Sequence, residues 1–208
     1  VRACGLLHGP NGVGKTLLVQ HFLRALPDKR YQAVVLSHSS VTGTDLLRLL
    51  CAELGQRAHL RRSDNVLLIR QGWQQLERLW PVLVIDEAQN LSATALEEVR
   101  LLSCDRRDTQ PPFSLLLVGD EQLLPRLQMG INAPLLARLS FCLRLEPWTT
   151  DQLSVSVLLN PPSRSGVRRV NCAECQDFLV CAAFQAVGVN SPTRLIGHWP
   201  NLGRTSLR

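Results

Sequence analysis

The run Gly9-Pro10-Asn11-Gly12-Val13-Gly14-Lys15-Thr16 fits the pattern G-x-x-x-x-G-K-[ST] at every fixed position. The chemistry it suggests is anion binding. Glycines let the backbone curl so that successive N–H groups point inward at phosphate oxygens, and a helix opening near Lys15 adds its partial positive end. The Lys15 ammonium can then reach the β- and γ-phosphates of a nucleoside triphosphate, while the Thr16 hydroxyl is suited to magnesium. Residues Gly9, Pro10, Asn11, Gly12, Val13, Gly14, Lys15 and Thr16 are therefore the candidate nucleotide-binding set, with ATP and magnesium as expected cofactors.

A second constellation, Val82-Leu83-Val84-Ile85-Asp86-Glu87, is an apolar run ending in two acids. If the run is a buried strand, it delivers both carboxylates to the carboxyl edge of a sheet, beside the phosphate loop. Asp86 is then expected to hold magnesium with Thr16, and Glu87 to polarise an attacking water as general base. The bland alternative is a solvated turn. Charge developing on a transferred phosphoryl group also needs a cation. Arg138, in Leu135-Leu136-Ala137-Arg138-Leu139, is a candidate, although it also suits the exposed face of a helix.

These groups need a scaffold, and the apolar pattern supplies one. Residues 3–8 form a short apolar run before the glycine-rich turn, and a helical pattern over residues 15–26 stops at Pro27. The alternation repeats with a strand at 33–36 and a helix at 45–54 ending near Gly55. After a basic surface loop at 57–62, a further helix is expected from a cap at Ser63 or Asp64 through Leu79, ended by Pro81. A strand at 82–85, a helix at 91–103 with Ser92 as N-cap, and a strand at 113–118 follow. Helices near 121–128 and 134–139 and a final strand at 141–145 complete the count. Five short apolar strands separated by helices predict an α/β fold, a parallel sheet covered on both faces. Residues 1–147 are expected to form this nucleotide-binding core. Residues 148–208 read as a small helical lid, its C-terminal part irregular.

The chain has 208 residues, 45% of them hydrophobic, enough for one full domain and a small appendage. No run approaches the length of a membrane-spanning helix. The net charge of +6 is carried almost wholly by arginine, since only Lys15 and Lys29 are lysines. That charge suits a polyanion partner, but the arginines are scattered, and composition alone argues weakly for nucleic acid. Seven cysteines are an odd number and several sit in apolar patterns, which suggests buried thiols in a reducing cytoplasm. Cys172 and Cys175, with Cys181 nearby, lack a second pair at zinc-ligand spacing. Val1 opens the sequence and Met129 is its sole methionine, so the natural start is expected to lie elsewhere.

Beyond the phosphate loop, three blocks occur in order: Val84-Ile85-Asp86-Glu87-Ala88-Gln89-Asn90-Leu91, Ala95-Leu96-Glu97-Glu98-Val99-Arg100-Leu101-Leu102 and Leu116-Leu117-Val118-Gly119-Asp120-Glu121-Gln122-Leu123. With them the chain resembles the AAA+ ATPases of the ExeA-like group, AAA_22, densely between Gly9 and Trp148. The resemblance implies a three-layer αβα P-loop NTPase core of the ASCE type, a helical lid, and nucleotide-dependent assembly into rings or filaments. It implies further catalytic positions: Asp120 at the sensor 1 place, Arg138 as an arginine finger toward a neighbouring subunit, and Arg194 as the lid's sensor 2. An aspartate at sensor 1 departs from the neutral polar group more usual there and would repel a γ-phosphate unless protonated or turned toward a cation. The short lid and the few residues before Gly9 also depart from the pattern, and suggest truncation or decay.

Three functions follow. The first is a DNA-associated ATPase of the TniB or TnsC kind, assembling on double-stranded DNA and serving a transposase. The second is a secretion-linked ATPase resembling ExeA. The third is a nucleotide-binding interaction module with little hydrolysis.

Overall fold

A computed structural model describes residues 3–37, 41–76, 79–104 and 111–147. The expected lid, with Arg194, Cys172, Cys175 and Cys181, lies outside the described residues. Five strands, β1 (Cys4–His8), β2 (Tyr31–Leu36), β3 (Trp80–Ile85), β4 (Ser114–Gly119) and β5 (Phe141–Arg144), form one sheet. Its order is β2-β3-β4-β1-β5, and every neighbouring pair is parallel. Six helices connect them: α1 (Lys15–Ala25), α2 (Gly43–Glu53), α3 (Arg62–Gln75), α4 (Ala93–Leu102), α5 (Leu123–Gln128) and α6 (Ala133–Leu136).

The strand order decides which face each helix covers. A crossover between parallel strands is right-handed almost without exception, so connections that step in opposite directions along the sheet pass over opposite faces. Only β1 to β2 steps backward, past β4 and β3; the other three connections step forward. Accordingly α1 packs on one face, where Leu18, Val19 and Phe22 meet Leu7, Val82, Val84, Leu116 and Val118. Helices α2 to α6 pack on the other, against Leu6, Leu36, Leu83, Ile85, Leu115 and Leu117. Successive residues of β3 and β4 thus enter different cores, which is why both read as unbroken apolar runs.

Two expectations are corrected. Helix α3 begins after Arg61, not at a cap on Ser63 or Asp64. Its entry is fixed instead by the fully buried Asn65, whose carboxamide accepts from His59 N at 2.7 Å and donates to His59 O at 3.0 Å. The helix also ends at Gln75, before the expected Leu79, and Pro81 is a strand residue. Proline is tolerated there because β3 alternates its N–H groups. Trp80 N and Asp86 N donate toward β2, to Arg30 O and Leu36 O, so the position of Pro81 faces β4, whose pairing begins only at Val82.

Helix α4 carries the block after the acids, and its start is capped as the sequence suggests. The Ser92 hydroxyl accepts from Ala95 N at 3.1 Å. Ser92→Ala should lower unfolding free energy by about 1 kcal/mol, read as a lower urea midpoint with an unchanged slope.

Candidate active site

Parallel strands bring all their carboxyl ends to one edge. Because β4 stands between β1 and β3, the turns after His8, Gly119 and Ile85 lie in a row there. The outer two are about 10 Å apart by strand spacing.

The loop after β1 takes the expected shape. Gly12 and Gly14 have φ of 79° and 96°, a region that costs a side-chain-bearing residue roughly 1–2 kcal/mol. A Cβ at either position would meet nothing within 4 Å, so the requirement is conformational. Gly9 is different: a Cβ there would sit 2.3 Å from Leu145 O, where the chain leaving β5 crosses the root of the loop. Lys15 is buried, and its ammonium donates to Gly9 O at 2.9 Å and Pro10 O at 2.8 Å. An ammonium has three donors, and holding two on the loop fixes its position over the curled backbone.

The first acid meets this loop directly. Thr16 Oγ1 donates to Asp86 Oδ2 at 3.0 Å, and Asp86 Oδ1 accepts from Glu87 N at 3.0 Å. Asp86 is buried; Glu87 is exposed. A hydroxyl and a carboxylate side by side are hard oxygen ligands of the kind magnesium takes while keeping several of its waters. The residues present therefore fit a magnesium nucleotide: a backbone cradle, one fixed cation, and an oxygen pair. Among the described residues no group of three or more His, Cys, Asp or Glu could hold a metal by itself.

Glu87 adopts φ 53°, the only left-handed residue other than glycine among those described. Its Oε2 accepts from Gln89 Nε2 at 2.6 Å, and Gln89 Oε1 accepts from Asp120 N at 3.2 Å. The Arg126 guanidinium donates to the carbonyls of Gln89 and Leu91. Sequence reading gave Gln89 and Arg126 no role. The available signal was Gly119 at a strand end, which marks a close approach by another group.

Asp120 stands at the carboxyl end of β4, and its Oδ1 accepts from Gln122 N at 2.8 Å. One carboxylate oxygen is thus committed to its own turn. Arg138 is not brought into this row. Ser140 N donates to Cys4 O at 2.6 Å, which sets residues 138–140 at the amino edge of β1, roughly 13 Å of strand away from the loop. Arg138 is exposed there, and its charge is felt at Cys4. The four described cysteines are free thiols. Burial raises Cys4, Cys51 and Cys142, the last to about 11.

His8, beside Gly9, was also overlooked. It is buried, and its Nδ1 has no hydrogen-bond partner among the described residues. Burial lowers its pKa, Arg144 and Lys15 add to the effect, and Glu121 opposes it.

A family profile described as an AAA domain matches residues 1–127. General secretion pathway protein A of Aeromonas hydrophila is 30% identical over 139 residues, covering 65% of this chain and 24% of that protein. The Mu-like prophage FluMu DNA transposition protein B of Haemophilus influenzae is 29% identical over 126 residues, covering 61% and 41%. The chain therefore spans about a quarter of the first relative's length and about two fifths of the second's. Among solved structures, Cdc6p of Pyrobaculum aerophilum superposes with a TM-score of 0.61 at 22% identity, over 74% of this chain and 42% of that one. That likeness carries the fold.

Two outcomes test the geometry. Gly14→Ala should destabilise the protein by about 1–2 kcal/mol through backbone strain alone, measurable by urea unfolding. For His8, the folded state resists protonation, so as pH falls through roughly 7 to 5 the unfolded chain takes up the proton first and stability declines. A His8→Phe variant should show a shallower decline over that window.

Proposed function

From the premise that the chain belongs to the AAA domain family, in its ExeA-like group, we propose that it binds ATP with magnesium and hydrolyses the γ-phosphate. The carrying observation is the 3.0 Å hydrogen bond from Thr16 to Asp86, which joins the anion cradle to the acid-bearing strand. On this reading the N–H groups of residues 9–16 and the Lys15 ammonium bind and orient the triphosphate. Thr16 and Asp86 hold magnesium, which when bound offsets phosphate charge. Glu87 accepts a proton from the attacking water. Asp120 spends one oxygen on its own turn, which leaves less of its charge facing the phosphates. Arg138, at the opposite edge, serves a neighbouring copy in a ring or filament. The lid role that the resemblance implies for residues 148–208, with Arg194 as sensor 2, belongs to this proposal.

The role we favour is a cytoplasmic transposition helper that assembles on double-stranded DNA and serves a transposase. The relative named as a DNA transposition protein supports it, as does the net charge of +6, with Arg57 and Arg61 exposed on the loop before α3. The relative named for general secretion supports a second reading, a secretion-linked ATPase. Among the described residues no helix is long and apolar enough to cross a membrane.

Phosphate release measured for the parent and for Glu87→Gln tests hydrolysis. The variant should lose at least about 100-fold in kcat while still binding ATP. Equal, near-zero rates with tight binding would instead identify a passive nucleotide-binding module. Lys15→Ala should lose ATP binding. Mobility shifts on duplex DNA at two salt concentrations should show ATP-dependent, salt-sensitive complexes; no such complexes would remove the DNA role and favour the secretion reading.

A further inference from the structure

The turn after β3 is braced at both ends of a single side chain. Gln89 is half-buried, and its carboxamide donates to Glu87 Oε2 at 2.6 Å while accepting from Asp120 N at 3.2 Å. It therefore spans the gap between the end of β3 and the end of β4. Room for it exists because residue 119 is glycine: a Cβ there would lie 2.6 Å from Gln89 Oε1 and 2.6 Å from Leu123 Cδ2. The turn itself is held independently. Ala88 is fully buried, Asn90 N donates to Glu87 O at 2.9 Å, and Arg126 grips the main-chain carbonyls of Gln89 and Leu91.

We propose that Gln89 is a positioning residue for hydrolysis, fixing the direction of the Glu87 carboxylate and tying it to the main chain at Asp120. The inference rests on the hydrolytic reading of Glu87 given above. Its chemistry requires a donor and an acceptor at one side-chain tip, which an amide provides. Glutamate at 89 would still accept from Asp120 N but would set carboxylate against carboxylate at Glu87, and asparagine is one methylene short of the span. Glu87 is exposed and its backbone is left-handed, so its own strand does little to orient the carboxylate. A shift of Asp120 is passed to Glu87 through one side chain, which links the end of β4 to the base.

Because Arg126 and Ala88 hold the turn through main chain and packing, truncating the Gln89 side chain separates orientation from folding. Steady-state ATP hydrolysis, ATP affinity and urea midpoints should be compared for the parent, Gln89→Ala, Gln89→Glu, Glu87→Gln and the Glu87→Gln/Gln89→Ala pair. Gln89→Ala and Gln89→Glu should each lower kcat by roughly 10- to 100-fold, with KM, ATP affinity and midpoint near parental values. Gln89→Ala should add nothing in the Glu87→Gln background. A parental kcat for Gln89→Ala, with Glu87→Gln inactive, would overturn the positioning role and leave the hydrolytic reading standing. A fall in ATP affinity and midpoint together with kcat would overturn it in favour of a structural role. Full turnover in Glu87→Gln, or none in the parent, would remove the hydrolytic reading and this inference with it.

Discussion

The hydrogen bond between Thr16 and Asp86 is the contact on which the site depends, because it joins the first turn of α1 to the end of β3, far apart in sequence and across the intervening strand β4. Neither strand alone builds a site. A curled glycine loop binds anions loosely, and a carboxylate at a strand end is a solvated charge. Set 3.0 Å apart, the hydroxyl and the carboxylate become a preorganised oxygen pair beside a fixed ammonium. The carboxylate is buried, so its charge would be costly without partners. Thr16 and the Glu87 N–H supply them, one on each oxygen.

That separation is set by the cores beneath the loops. A slip of one residue between β3 and β4 would turn Leu83 and Ile85 out of one core and Val82 and Val84 out of the other, so burial on both faces pins the register. With the register fixed, the levels at which His8, Ile85 and Gly119 end their strands are fixed too. Turn geometry then adds only local detail. The ion pair of Arg62 with Glu98, 2.5 Å between Nε and Oε1, ties α3 to α4 on the same face.

Much of this was legible in the sequence because the signals were redundant. Five strands and the helices between them followed from apolar runs broken by Pro27, Gly55 and polar segments, and the ends of most elements fell within two residues of expectation. Ser92 was recognisable as a cap from its position before a helical pattern. The start of α3 was not, because the residue that organises it, Asn65, lies inside the helix and acts backward on His59. Pro81 read as a terminator because the alternation of donors along β3 is visible only once the strand's neighbours are known. At the site, residues contributing through local motifs were readable, whereas Gln89, Arg126 and His8 were not. No spacing rule connects position 89 with position 120 or Arg126 with the carbonyls of Gln89 and Leu91, and the burial of His8 is visible only once the sheet is assembled.

The crossing of Gly9 by the chain that leaves β5 has a mechanical consequence. Leu145 N donates to His8 O at 2.7 Å, and Leu145 O lies where any side chain at Gly9 would stand. The exit of the core is thus pressed against the hinge of the phosphate loop with no slack between them. A pull or twist on the segment that follows is transmitted by hard contact to the root of the cradle, and the curl of that cradle in turn constrains the angle at which the chain departs.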